Sequence, residues 1–107
     1  MNLKINGHNL EITPALREHI EKKITKLTNH FDHVIDAKFT LSIEKLNHVV
    51  EATIHLPRAN IHAISNDENM YHAIELLINK LDRQIIKFKE KNFHRHQEIG
   101  SIKHKIN

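Results

Sequence analysis

The apolar residues of this chain change period twice, and that double switch restricts its fold more than any other feature. Leu16, Ile20, Ile24, Leu27 and Phe31 recur at steps of four, four, three and four, one stripe of an amphipathic helix. From Val34 the period drops to two. Ala37, Phe39, Leu41 and Ile43 alternate with Lys38, Thr40, Ser42 and Glu44; Val50, Ala52, Ile54 and Leu56 alternate with Glu51, Thr53 and His55. At Met70 the helical period returns and runs through Ile74, Leu77, Ile78, Leu81, Ile85 and Phe88. Strands with a single apolar face need cover on that face alone. Two helices with one apolar stripe each can supply it.

The punctuation agrees. Leu3 and Ile5 alternate with Asn2, Lys4 and Asn6, which predicts a short first strand. Gly7-His8-Asn9 reads as a turn or bulge, with Leu10 and Ile12 continuing the pattern. Thr13-Pro14 is a helix start, Thr as N-cap and Pro at the first helical position, and the helix ends near Asn29-His30. Leu46-Asn47-His48 predicts a tight connection, Pro57 to Asn60 a break, and Ile61–Ser65 a fourth strand. Asn66-Asp67-Glu68-Asn69 offers caps and early negative charge to a second helix that ends near Lys91. The expected fold is α+β, β-α-β-β-β-α, a four-stranded sheet with two helices packed on one face, its one-sided alternation being that of antiparallel sheets. A chain of 107 residues suits one compact domain. That domain is expected over residues 1–91, with 92–107 a short, basic, flexible tail lacking a sustained pattern.

The charge is uneven. Residues 1–69 hold eight Lys/Arg against nine Asp/Glu, whereas 70–107 hold eight against four. The whole net charge of +3 therefore comes from the C-terminal third, which points to a polyanionic partner. At about 100° per residue, Lys80, Arg83, Lys87 and Lys91 share a stripe clear of the apolar one, with Lys89 on the other flank. On the first helix His19, Lys22, Lys23, Lys26 and His30 share a face. Ordinary explanations cover part of this. Cations in a last turn complement the helix dipole, which suits Lys87, Lys89 and Lys91 but not the earlier Lys80 or Arg83. Glu18 and Lys22 stand in the favourable i,i+4 order of a solvated face. Two basic helical rows best match a phosphate backbone, bound without reading sequence. Aromatic residues are too few for a stacking platform, so structured RNA recognised by shape fits better than single strands. DNA stays open on these grounds.

Other chemistry lacks its residues. The absence of Cys excludes disulfides, thiolate metal sites and cysteine nucleophiles. Two glycines, Gly7 and Gly100, cannot form a phosphate-cradling loop. Ser42, Ser65 and Ser101 lie in no nucleophile-like context. His30, His33, His94 and His96 make no dense ligand set, so no metal or cofactor is expected. The opening residues show no signal peptide, and no apolar run reaches the length of a membrane span.

Three stretches carry a resemblance: LKINGHNLEITPALREHIEKKITKL, IHAISNDENMYHAIELLINKL and DRQIIKFKEK. The most specific part is Asn69-Met70-Tyr71-His72-Ala73-Ile74 followed by Lys80-Leu81-Asp82-Arg83-Gln84. Over residues 1–91 the chain resembles the bacterial ribosome hibernation-promoting factors, the family that includes the ribosome-associated inhibitor protein Y. The resemblance implies the same β-α-β-β-β-α fold. It also implies a non-enzymatic cytoplasmic factor of stress and stationary phase, monomeric off the ribosome. Such a factor binds the small ribosomal subunit and its rRNA in the decoding channel. There it blocks tRNA and mRNA, halts translation and preserves idle ribosomes. By position, Lys22, Lys23, Lys26, Lys80, Arg83, Lys87, Lys89 and Lys91 become the RNA-binding residues. Leu56-Pro57-Arg58-Ala59-Asn60 departs from a more glycine-containing family turn, and the acidic extension of protein Y is missing. The resemblance is to the short type, which supports ribosome dimers with a separate ribosome modulation factor. A general structured-RNA-binding module is the alternative.

Overall fold

A computed structural model describes the backbone of residues 2–30 and 33–106, and the side chains as far as Lys91 apart from His30. The elements are β1 (Asn2–His8), α1 (Pro14–His30), β2 (Asp36–Glu44), β3 (Asn47–His55), β4 (Asn60–Asp67) and α2 (Met70–Ile106). The strands form one sheet in chain order. β2–β3 and β3–β4 are antiparallel, but β1 runs parallel to β2, Asn2 facing Asp36 and Ile5 facing Phe39. The expected element order and four-stranded sheet are found, and the likeness to antiparallel sheets holds for β2–β4 but not for β1. The reason lies in the connection: a whole helix separates β1 from β2, and such a crossover returns the chain in the same direction.

The period-two residues do face one side. Ile5, Phe39, Ala52 and Ala63 lie in register across all four strands, and all are buried. Phe39 is fully enclosed beside the small Ala52, so bulk on one strand is matched by space on the next. Ile20, Ile24 and Leu27 of α1 and Ile74, Leu77, Leu81 and Ile85 of α2 complete the same core. Phe31, expected as the last member of the α1 stripe, lies outside the described residues, as do the side chains of His30, His94 and His96. The far face of the sheet is wet and carries two His–carboxylate pairs, His62 Nε2 to Glu51 at 3.2 Å and His55 Nε2 to Asp36 at 3.6 Å.

Both caps are made by the expected residues. Thr13 Oγ1 accepts from the Leu16 N–H at 3.2 Å. Asn69 Oδ1 accepts from the N–H groups of Tyr71 at 2.8 Å and His72 at 3.3 Å. Asp67 accepts the Asn69 N–H at 2.9 Å and stands 3.0 Å from His72 Nδ1. That backbone hydrogen bond first, and His72 after it, hold its carboxyl below the usual Asp range.

The connections needed adjustment. β1 ends at His8, and Asn9 takes a left-handed φ of 59°. Leu10 and Ile12 reach the core from the following loop rather than from a continued strand. Gly7 is required by that loop, because a Cβ there would collide with the Leu10 carbonyl oxygen. The hairpin turn falls on Lys45-Leu46, one residue earlier than expected, with Lys45 at φ 57° and Glu44 facing Asn47. β4 is longer than Ile61–Ser65. The largest difference concerns α2, whose backbone stays helical to Ile106 rather than ending near Lys91. The apolar stripe weakens beyond Phe88, but no Pro interrupts residues 92–106, and Gly100 alone is a weak breaker.

Candidate nucleic-acid interface

The basic residues of α2 occupy the flank that runs along β4, the outer strand of the sheet. Two hydrogen bonds fix this placement. Lys80 Nζ donates to the Ile64 carbonyl at 2.8 Å, and Gln84 Nε2 donates to the His62 carbonyl at 2.9 Å. An edge strand leaves backbone groups without a ladder partner on its open side. Lys80 and Gln84, one helical turn apart, satisfy two of them. Sequence reasoning missed this role of Lys80. Its signal was present: two hydrogen-bond donors at i,i+4 beside the last strand.

Arg83, Lys87 and Lys91 follow on the same flank, toward the C-terminal side of α2. All three are exposed, and none makes a hydrogen bond or ion pair with a described residue. Lys89 is exposed on the opposite flank.

The cations of α1 are placed differently. Lys22 Nζ pairs with Glu18 at 3.2 Å, the i,i+4 pair expected from the sequence. Lys23 reaches across to Glu75 of α2 at 3.3 Å, and Lys26 donates to Asn79 Oδ1 at 2.9 Å. Lys23, Lys26, Glu75 and Asn79 therefore line a shallow polar groove between the helices, floored by Ile78. The structure thus does not merge the two basic rows into one surface. Each row borders α2 on a different side, and the α1 row is largely engaged within the protein.

His19 also differs from expectation. It is half-buried rather than on an open basic face, and its ring meets Tyr71 edge-on, centroids 5.0 Å apart at 84°. Ser65, on the buried face of β4, donates to the Ala73 carbonyl at 2.6 Å and so ties β4 to the first turn of α2. Among the described residues, no three His, Asp or Glu side chains converge as a metal site would need. No described helix is long and apolar enough to cross a membrane.

Comparisons with known proteins agree with this architecture. Residues 3–92 match the family model described as Sigma 54 modulation protein / S30EA ribosomal protein. The chain is 45% identical to the ribosome hibernation promoting factor of Azotobacter vinelandii over 97 residues, covering 91% of each chain. A ribosomal subunit interface protein from Coxiella burnetii superposes with a TM-score of 0.81 at 33% identity, over 84% of this chain and 99% of that one. The N-terminal domain of Thermus thermophilus protein Y does so with a TM-score of 0.77 at 34% identity, over 82% and 99%. On sequence and fold together, the chain belongs to the ribosome hibernation promoting factor family.

Proposed function

We propose that this protein binds the small ribosomal subunit in its decoding channel, with the outer flank of α2 against rRNA phosphates. The observation that carries the reading is the run of Arg83, Lys87 and Lys91, exposed and without partners among the described residues. Cations left unneutralised on a rigid helix are preorganised to displace counterions from a polyanion. Lys80 extends that surface, and Lys89 would meet RNA from the opposite flank of α2. Lys22, Lys23 and Lys26 contribute if RNA can compete with their present partners.

Occupancy of the channel excludes tRNA and mRNA by volume, so inhibition needs no chemistry and the protein is not an enzyme. It works in the cytoplasm, where ribosomes are, and is monomeric off the ribosome. A relative 45% identical to it is a ribosome hibernation promoting factor, which favours the same role here. That role is to preserve idle ribosomes and support their dimers, together with a separate ribosome modulation factor.

Sedimentation with purified ribosomes across a salt series tests the binding. Affinity should fall as salt rises, and pre-bound initiator tRNA with mRNA should slow association. Stoichiometric binding of all three together would remove the channel-blocking mechanism. Equal affinity for unrelated structured RNA would make the protein a general RNA-binding module instead.

A further inference from the structure

The pole of the domain remote from Lys91 carries a second surface of opposite character. A cleft of about 300 Å³ opens where the loop after β1, the first turns of both helices and the β2–β3 hairpin meet. Leu10, Leu16, Ile43, Met70 and Tyr71 form its walls. Of the five large apolar side chains exposed among the described residues, three lie at this pole, Ile43 by 45%, Tyr71 by 41% and Leu46, at the hairpin tip, by 86%, while Ile35 and Ile64 lie apart from it. Apolar exposure gathered in one place marks a contact surface rather than the scattered exposure of any soluble protein.

The polar groups say what kind of contact. Glu11 is the carboxylate in the lining. The segments that form the walls also carry Glu44, Asp67 and Glu68, against Lys45 and Arg17. His48 lines the cleft too, and its Nδ1 is buried with no hydrogen-bond partner among the described residues. This nitrogen can donate or accept a hydrogen bond with a group entering the cleft. RNA is disfavoured, because carboxylates at the rim repel phosphates. A positively charged peptide is favoured by the same carboxylates, and the apolar floor suits one of its side chains.

We propose that this cleft seats a large apolar side chain from a cationic segment of a ribosomal protein. His48 and Glu11 would hydrogen-bond the flanking groups of that segment. The domain would then be held by RNA at the C-terminal flank of α2 and by protein at the opposite pole, about 30 Å away along the helix. This inference rests on the proposed association with ribosomes.

A photoreactive benzophenone amino acid at position 46 tests it, since Leu46 is almost fully exposed and its replacement spares the core. The protein so labelled is bound to purified ribosomes and irradiated, and the adduct is identified by mass spectrometry after nuclease and protease digestion. The expected adduct lies in a Lys/Arg-rich segment of a ribosomal protein. Glu11→Lys, at an exposed position, should cut its yield several-fold while the protein still sediments with ribosomes. An adduct on rRNA, an adduct on a second copy of this chain, no adduct, or a yield indifferent to Glu11→Lys would overturn the inference alone. Failure of the unmodified protein to sediment with ribosomes would overturn the proposed function and this inference together.

Discussion

The two helices carry similar basic rows and have settled them in opposite ways. On α1, Lys22, Lys23 and Lys26 each find an oxygen partner, on Glu18, Glu75 and Asn79. On α2, Arg83, Lys87 and Lys91 find none among the described residues. Position accounts for the difference. Lys23 and Lys26 border a groove whose other wall supplies acceptors. On the outer flank of α2 the β4 carbonyls are taken by Lys80 and Gln84, and Arg83, Lys87 and Lys91 bond to no described residue. A helical wheel treats the two rows as equals, and only packing shows which charge is already spoken for.

The contrast is open to direct attack. The largest expected effect comes from Arg83→Gln, Lys87→Gln and Lys91→Gln together. Ribosome affinity should fall on the order of tenfold or more at moderate salt, and the slope of log affinity against log salt should shrink by about 2–3. Sedimentation at several salt concentrations measures both, and thermal melting should barely change. A smaller effect is expected from Lys22→Gln, Lys23→Gln and Lys26→Gln. Free of RNA, that variant should lose no more than about 1 kcal/mol of stability, because these contacts are solvent-exposed. Binding should weaken less than in the α2 variant. An equal or larger loss would mean that RNA strips these lysines from their present partners.

Lys80 sits between the two cases and should show a mixed response. Lys80→Met removes both the charge and the bond to the Ile64 carbonyl. It should cost about 0.5–1.5 kcal/mol in urea unfolding, with only a modest loss of ribosome affinity. A change in affinity without any change in stability would return Lys80 to the purely RNA-facing group. The smallest effect belongs to Asp67, whose carboxylate accepts the Asn69 N–H at the start of α2. Its folded pKa is lowered, so its contribution is complete above the ordinary Asp range and is lost as pH falls through the lowered value. Stability measured from about pH 5 down to about pH 2 should therefore decline less steeply in Asp67→Asn.

Much of the fold was legible because burial follows period. Ala37, Phe39 and Leu41, and later Val50, Ala52 and Ile54, could face a core only as strands. The Thr13 and Asn69 caps were visible because each is a local matter of three or four residues. The parallel pairing of β1 with β2 is a fact about neighbours in space, and alternation alone says nothing about strand direction. The extension of α2 escaped for a related reason. An amphipathic stripe reports where a helix is covered, not where its backbone hydrogen bonds stop. At the candidate interface the sequence showed which residues are basic and on which flank. It could not show that Asn79, Glu75 and the Ile64 carbonyl lie within reach of Lys26, Lys23 and Lys80, since those partners come from other elements.

The parallel strand β1 also sets an order of assembly. β2, β3 and β4 follow one another through short turns, so their pairings close small loops. Asn2 pairs with Asp36 only after all of α1 has intervened. Longer loops cost more entropy to close, and non-local pairings form late. As the chain leaves a ribosome, β1 emerges before the strand it pairs with. Until β2 is made, β1 lacks its ladder partner. The antiparallel meander β2–β4, closed by short turns, is therefore expected to pair before β1 does. The amides of β1 should accordingly be the first strand amides to exchange with solvent in the finished protein.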